Sequence, residues 1–519
     1  MKLLKSTLNV GVATVISRLL GFVRDVVFAR YFGASAATDA FFLAFKIPNF
    51  MRRLFAEGSF SLAFVPVLSE VRASGDRAAL RNLIDNVSGT LLGILLVITS
   101  LGVLAAPAVL SIFAPGWVID GRPEFWLSAD MLRITFPYIL FISLTALSGG
   151  ILNTFDRFLV PALTPVLLNL SLIAAAVLLS SHLEVPVMAL AWGVLLAGIL
   201  QLLIQVPALI HLGMMPRPRW GWRHSGVRKI LRLMIPTLLG SSVAQVNLLV
   251  DSVMATFLIS GSVTWLYYSD RLMEFPLGVF GVALSTVILP NLSRKFAQQN
   301  PQAFSGTVDW ALRLALIITM PAALGLTVLA SPILVTMFQY DAFQPRDVEM
   351  TALSLSAYAL GLPAFIAVKV LAPGYYARQD TRTPVRYAVV SMVTNMLLNL
   401  VFVGILLSLE FKGPHMGLAL ASTVAAYLNA AMLFRGLRKQ RVYHPEHGWG
   451  RVLFAVMTAC ILMLVALLWQ IGSLDQWLMA PVADRARMLA VHVVGGTLLY
   501  LAVLYLAGLR KHHLEKGAV

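Results

Sequence analysis

Long apolar stretches recur along the whole 519-residue chain and are separated by short polar connections. A stretch of about 20 apolar residues is long enough to cross the hydrocarbon core of a bilayer as an α-helix. The pattern therefore predicts an all-α polytopic membrane protein with about 14 transmembrane helices. The predicted spans are 8–31, 36–68, 86–113, 130–154, 159–181, 185–211, 229–258, 262–291, 307–338, 351–376, 386–408, 414–434, 451–471 and 488–508.

The distribution of basic residues predicts the orientation of these spans. The formal net charge is +16, and much of the excess lies in every second connection, which is the pattern of positive-inside bias rather than of nucleic-acid binding. We therefore expect a multi-pass membrane protein with both termini and the basic connections in the cytoplasm. The lone cysteine, Cys460, lies in an apolar stretch, which excludes an intrachain disulfide and favours a small buried side chain.

A weak internal repeat appears at an offset of about 224 residues, where 66–69 returns as 290–293 and Gly150 as Gly374. Two parallel six-helix lobes, each with an even number of spans, would produce this offset. The predicted domains are an N-lobe at 1–215, a cytoplasmic inter-lobe linker at 216–228, a C-lobe at 229–440, and helices 13 and 14 with a cytoplasmic tail at 441–519.

Charged residues occur inside the first two predicted spans, where the bilayer should disfavour them. A charge near the bilayer centre costs on the order of 3 kcal/mol on insertion scales, so it normally faces a polar interior. Several cations together predict a polar chamber for an anionic ligand. The residues concerned are Arg18, Arg24, Asp25, Arg30, Asp39, Lys46, Arg52, Arg53 and Glu57.

Two of these arginines have competing interpretations. Asp25 is able to compensate Arg24, and the two would then form a structural pair, while Arg18 extends towards the membrane surface.

Arg52 follows Pro48, whose missing amide should bend or break the second span and expose backbone groups to the chamber. Broken helices near charged residues are typical of substrate sites in transporters.

The second half carries a similar cluster, in which Arg271 lies about 225 positions after Lys46. Glu274 is on the same helix face and is expected to pair with Arg271, either as a plain structural ion pair or in the absence of ligand. Guanidinium groups bind phosphate oxygens bidentately and remain charged, so the chamber is predicted to hold a phosphate or diphosphate. Asp39 and Glu57 are expected to keep the arginines apart when the chamber is empty.

Catalytic motifs such as a P-loop or HExxH are absent from the sequence, which favours a transporter over an enzyme. No cofactor is expected, and energy would come from an ion gradient, the membrane potential or the substrate gradient. Asp251 in the seventh span is a candidate for Na⁺ or H⁺ coupling. It is also interpretable as a pore-facing acid or as the partner of a chamber arginine.

Five motifs resemble the MurJ (MviN) lipid II flippases, and the resemblance runs essentially from end to end. They are 17–25 (SRLLGFVRD), 38–42 (TDAFF), 46–49 (KIPN), 52–58 (RRLFAEG) and 270–276 (DRLMEFP). The resemblance implies the fold of the multidrug/oligosaccharidyl-lipid/polysaccharide exporter superfamily, with two six-helix lobes and two C-terminal helices that form an apolar groove.

By this resemblance the substrate is lipid II, flipped from the cytoplasmic to the periplasmic leaflet by alternating access for cell wall synthesis. The family's cavity arginines match Arg18, Arg24, Arg52 and Arg271, and Asp39 and Lys46 also lie in matching motifs. Lipid II and membrane lipids are the expected partners; the basic connections either recruit peptidoglycan-synthesis enzymes or only set orientation. The alternatives are a flippase for another polyprenyl-linked saccharide, a drug or ion antiporter, a membrane transferase and a non-transporting scaffold.

Overall fold

A computed structural model describes residues 2–53 and 60–509, with the side chains of 2–9, 236–248 and 282 left out. The predicted chamber residue Glu57 therefore lies outside the described residues. All regular elements within the described ranges are helices, which confirms the all-α prediction.

The first half of the chain forms α1 to α12. Short polar caps start several of these helices; Asp76, for example, accepts hydrogen bonds from the amides of Ala78 and Ala79 at the start of α4. The bounds are α1 Lys2–Phe32, α2 Ala36–Met51, α3 Ser61–Ala73, α4 Arg77–Leu104, α5 Ala106–Phe113, α6 Pro115–Ile119, α7 Pro123–Thr135, α8 Tyr138–Thr154, α9 Leu159–Ala174, α10 Met188–Leu203, α11 Val206–His211 and α12 Ser225–Ala255.

The second half forms α13 to α22, in which the long helix α17 packs against α15 and α19. A short π-helical turn, Leu277–Gly281, joins α13 to α14. The bounds are α13 Ser262–Pro276, α14 Val282–Ala297, α15 Pro301–Val328, α16 Ala330–Phe338, α17 Pro345–Tyr376, α18 Arg382–Ser408, α19 Met416–Lys439, α20 Trp449–Gln470, α21 Leu474–Met479 and α22 Val482–Leu506.

Eleven helical segments of the described chain are long and apolar enough to cross a membrane, and each matches one of the predicted spans. The three predicted spans outside this set are 8–31, 36–68 and 229–258. The first and third correspond to α1 and α12, each 31 residues long, and the second includes α2, α3 and the residues 54–59 that are not described. The chain is thus a multi-pass membrane protein, and the total of 14 spans stays a prediction.

The chain separates into two compact units, Met1–Thr264 and Trp265–Val519. The predicted C-lobe begins earlier, at residue 229, so α12 lies in the first compact unit rather than with the helices of the second. Compactness and sequence repetition are different criteria, and the predicted domain boundaries stay a prediction.

The C-terminal helices α20 and α22 share an apolar core with α15 in the second unit. Cys460 is 1% exposed in this core, beside Ala459 and Met463, which confirms its expected role as a small buried side chain. The opposite faces of α20 and α22 carry exposed apolar side chains, including Val465, Leu468, Leu498 and Tyr505.

The first turn of α22 is attached to α16 by a buried arginine. Arg485 donates hydrogen bonds to the carbonyl oxygens of Ala480 at 2.8 Å and Leu478 at 2.5 Å. It also donates to the side-chain oxygen of Gln339 at 2.8 Å and to the carbonyl oxygens of Gln339 and Val335 at 3.3 and 3.4 Å. Arg485 is only 8% exposed, so these acceptors replace water around the charge of its guanidinium group.

Replacing Arg485 by methionine should destabilise the packing of α22. Methionine fills part of the volume but leaves buried carbonyl oxygens without donors, at a cost on the order of 3 kcal/mol. The thermal unfolding temperature of the detergent-solubilised protein should fall. Arg487→Met, which removes an exposed arginine from the same helix, is the matched control. An equal unfolding temperature for Arg485→Met and the wild type would contradict this role.

Candidate functional site

A tight turn joins α1 to α2, the two helices that carry most of the predicted chamber charges. Gly33 has a φ of 60°, a left-handed conformation that glycine adopts without strain, and it follows the last residue of α1. Ser35 then caps α2 by accepting from the amide of Thr38. The rings of Phe28 and Phe41, with centroids 5.9 Å apart, pack the two helices together beyond the turn.

Arg24 lies in a buried cluster between α1 and α9. Its guanidinium is 2.6 Å from the Asp25 carboxylate and also donates to the side-chain oxygen of Asn169 at 3.1 Å. Asn169 in turn donates to the carbonyl oxygen of Ser17 at 3.0 Å, and the guanidinium lies over the Phe28 ring. The expected Arg24–Asp25 pair is confirmed, and the guanidinium is held in one orientation by α9.

Arg18 differs from Arg24 in its surroundings. The two residues are six positions apart, which separates them by about 240° around α1. Arg18 is exposed, whereas Arg24 is only 8% exposed. A charge at Arg18 is therefore accessible to a ligand without the rearrangement of a buried pair.

Lys46 on α2 reaches the end of α12. Its ammonium donates a hydrogen bond to the hydroxyl of Ser252, and the preceding residue, Asp251, is 7% exposed. The structure therefore brings Lys46 and the neighbourhood of Asp251 together, a proximity that the sequence did not reveal. The proposed role of Asp251 in ion coupling stays a prediction.

Arg52 follows the end of α2, in a π-helical turn with Arg53. Its guanidinium donates twice to the side-chain oxygen of Asn49, at 3.1 and 2.8 Å, and both arginines are half-buried. Pro48 lies inside α2, which ends at Met51, and α3 begins only at Ser61. Residues 54–59 lie outside the described residues, so the predicted break of the second span stays a prediction.

Asp39 holds the start of α13. One carboxylate oxygen accepts from the amide of Gly261 at 2.6 Å, and the other accepts from the amide and hydroxyl of Thr264 at 2.8 and 2.6 Å. Asp39 is 2% exposed. These three bonds give Asp39 the geometry of a helix cap supplied by a distant segment. The predicted role of Asp39 in keeping the arginines apart stays a prediction.

The second unit carries the predicted pair of Arg271 and Glu274. The guanidinium and carboxylate are 3.2 Å apart, and their side chains are 34% and 41% exposed, so the expected ion pair is confirmed. Upstream on α13, Trp265 donates to the Asp347 carboxylate at 3.0 Å. This bond anchors α13 on α17 and fixes the helix that presents Arg271.

The polar residues that complete these contacts were absent from the sequence-based candidates. Asn169, Ser252 and Thr264 each lie in or beside an apolar stretch and bind a charged residue on another helix. A lone polar residue in a membrane span was the available signal, but its partner depends on helix packing. Among the described residues, no group of three or more His, Cys, Asp or Glu side chains is arranged to hold a metal ion.

Comparisons with known proteins give a consistent family assignment. The family model described as lipid II flippase MurJ matches residues 28–485. A protein of Vibrio cholerae named probable lipid II flippase MurJ is 49% identical, covering 99% of this chain and 98% of that protein. The lipid II flippase MurJ of Burkholderia cenocepacia is 40% identical over the full length of both chains.

Solved structures agree with the sequence relatives. A structure of lipid II flippase MurJ in an inward closed conformation has a TM-score of 0.79 and 28% identity, covering 95% of this chain and 97% of that one. An inward-facing multidrug transporter of the MATE family has a TM-score of 0.65 at 15% identity, covering 83% of this chain and 98% of that one, and shares the fold alone. The chain therefore belongs to the MurJ family of lipid II flippases.

Proposed function

We propose that the protein moves lipid II, the undecaprenyl-diphosphate-linked precursor of peptidoglycan, from the cytoplasmic to the periplasmic leaflet. Membership of the MurJ family supports this activity, and so does the naming of relatives that match nearly the whole chain. The protein then acts as a transporter in cell wall synthesis: it moves its substrate across the membrane and does not change the substrate covalently.

The observation that carries the proposal is the set of cations on α1 and α2. Arg18 is exposed, Arg24 is fixed by Asp25 and Asn169, and Arg52 is half-buried beyond α2. A diphosphate with several oxygens matches guanidinium donors better than a drug cation would, since cations repel one another. We assign Arg18, Arg24, Arg52 and Arg271 to the headgroup, with Asp25, Asp39, Lys46, Arg53, Glu57 and Glu274 in support.

The hydrogen bonds of the Asp39 cap are proposed to form in one state of the translocation cycle and to break in the other. The Asp39 cap holds α13 in the present structure, and movement of α13 requires the bonds to Gly261 and Thr264 to break. We propose that diphosphate binding reduces repulsion among the cations and favours lobe closure, and that release of the Asp39 cap accompanies the opposite opening. Membrane potential or Na⁺ or H⁺ binding near Asp251 would reset the carrier.

The polyprenyl tail requires an apolar path outside the polar chamber. The exposed apolar faces of α20 and α22 supply suitable surface, as the family resemblance implies for the last two helices. We place the protein in the bacterial inner membrane with both termini and the basic connections in the cytoplasm. Contact with the enzymes of peptidoglycan synthesis is a further proposed partnership.

Translocation by the purified protein tests the function directly. Vesicles would be prepared with fluorescent lipid II in both leaflets, with or without the protein, and treated with an externally added hydrolase that cleaves the diphosphate link. The account predicts that the protected inner-leaflet fraction becomes accessible only when the protein is present. A fluorescent phosphatidylcholine serves as the control lipid; because it has no diphosphate link, its outer-leaflet fraction is read by chemical quenching of the fluorophore from outside the vesicle. Persistent protection of lipid II, or equal movement of both lipids, would contradict the proposed function.

A further inference from the structure

The segment 217–224, which precedes α12, is bound along the surface of α4. The amide of Arg217 donates to the Asp85 carboxylate at 2.8 Å, and the amide of Arg219 donates to the Asp85 carbonyl oxygen at 3.0 Å. The amide of Gly221 then donates to the hydroxyl of Thr90 at 3.1 Å. Successive backbone groups are thus held by one helix, so the segment has a defined conformation.

Glycines on α4 make this close approach possible. A Cβ atom on Gly89 would lie 2.2 Å from the Arg219 carbonyl oxygen, and one on Gly93 would lie 2.5 Å from the Trp220 ring. The two glycines are four residues apart and share a face of α4. They form a groove that accepts the backbone of the segment and supports one side of the Trp220 ring.

The side chains that the segment presents are aromatic and basic. Trp220 and Trp222 are 66% and 49% exposed, and their rings are nearly parallel, with an interplanar angle of 12°. Arg217, Arg219 and Arg223 are also exposed. Tryptophan prefers the membrane–water interface, and basic residues beside it attract anionic headgroups.

A cleft of about 820 Å³ opens between this segment and the first turns of α4. The side chains of Trp220, Trp222 and Arg223 line it on one side, and those of Asn82 and Asn86 line it on the other. The cleft thus combines flat apolar surfaces with a guanidinium group and two carboxamides. Carboxamides both donate and accept hydrogen bonds, which suits hydroxyl groups.

We propose that this cleft binds the headgroup of an anionic phospholipid that carries hydroxyl groups, of the phosphatidylglycerol class. Arg223, which lines the cleft, binds the phosphate, and the exposed Arg219 nearby in the segment adds positive charge. The carboxamides of Asn82 and Asn86 contact the headgroup hydroxyls, and the indole rings cover the glycerol region. The positive surface matches the negative headgroup in charge. The proposal depends on insertion of the chain in a membrane and is independent of lipid II transport.

A bound lipid at this position would act on the start of α12. The ring of His224 lines the same cleft and accepts from the amide of Gly226, which caps the helix. The lipid would hold the segment and the first turn of α12 on α4. Occupancy of the cleft is therefore expected to stabilise the connection between α11 and α12.

Quenching of tryptophan fluorescence by tail-brominated lipids tests the site. The full chain would be placed in phosphatidylcholine nanodiscs that contain equal fractions of brominated phosphatidylglycerol or brominated phosphatidylcholine. We expect about threefold greater quenching of the Trp220 and Trp222 emission by the anionic lipid. That component is obtained by subtracting the signal of a Trp220→Phe/Trp222→Phe variant.

The matched variants separate charge from ring exposure. Arg219→Gln/Arg223→Gln retains both tryptophans and should lose the excess quenching, whereas the exposed pair Lys439→Gln/Arg441→Gln should retain it. Equal quenching by the two lipids would reduce the segment to a plain aromatic anchor and overturn the proposal. Displacement of brominated phosphatidylglycerol by unlabelled lipid II at a much smaller fraction than unlabelled phosphatidylglycerol requires would assign the cleft to the substrate instead.

Failure here and failure of the proposed function are distinguishable. The quenching measurement contains lipid II only in the competition step, and the vesicle translocation assay runs in phosphatidylcholine. Excess anionic quenching with no translocation would support the phospholipid site alone. Translocation without excess quenching would support the flippase alone.

Discussion

Arg18→Ala is expected to lower the rate of lipid II translocation by roughly tenfold or more, since a lost charge-assisted contact is worth about 1.5–3 kcal/mol. Arg18 is exposed on α1, so its removal should leave helix packing intact. The purified variant would be compared with the wild type in the vesicle assay, with the thermal unfolding temperature measured in parallel. Arg18→Lys should have an intermediate rate because it keeps the charge but loses the planar fork.

Arg30→Ala is the matched control for this prediction. Arg30 is also an exposed arginine of α1 and belongs to the predicted chamber charges, but it is not one of the four arginines assigned to the headgroup. Its removal should change the translocation rate by much less than Arg18→Ala. A normal rate for Arg18→Ala would remove Arg18 from the site, and equal losses in both variants would indicate a general effect of helix charge.

Asp39→Ala is expected to abolish translocation and to lower the thermal unfolding temperature. The substitution leaves the amides of Gly261 and Thr264 and the Thr264 hydroxyl without their acceptor at the start of α13. Hydrogen bonds to a charged group contribute about 1.5–3 kcal/mol each, so the loss should exceed that of an exposed ion pair.

A double-mutant cycle with Thr264→Val tests whether this contact is responsible. The stability losses of Asp39→Ala and Thr264→Val should be non-additive, because both remove the hydrogen bond from the Thr264 hydroxyl to the Asp39 carboxylate. Ser260→Ala is the control, since Ser260 donates to Glu124 at 2.5 Å rather than to Asp39. Additive losses for Asp39 and Thr264 would show that Asp39 acts elsewhere.

The sequence predicted the features that depend on local pattern. Apolar length was sufficient to find the helices, and the three-residue spacing of Arg271 and Glu274 was sufficient to predict their ion pair. Adjacent charges were likewise sufficient for Arg24 and Asp25. These predictions need only the geometry of one helix, which the sequence specifies directly.

The contacts between distant segments could not be predicted from the sequence. Arg24 meets Asn169 only because α9 packs on α1 in a particular register, and Asp39 meets Thr264 across 225 positions of chain. Apolar composition is nearly uniform around these helices, so it carries little information on which faces meet.

The central claim is tested most directly by the accessibility of newly made lipid II at the outer leaflet of cells whose only copy of the protein is wild type, Arg18→Ala or Arg271→Ala. Membrane abundance of each variant would be measured in the same cells. The account predicts outer-leaflet lipid II with the wild type, and internal accumulation with both variants at normal abundance. Unchanged outer-leaflet exposure at normal abundance would contradict a cationic diphosphate site and return these arginines to a structural role.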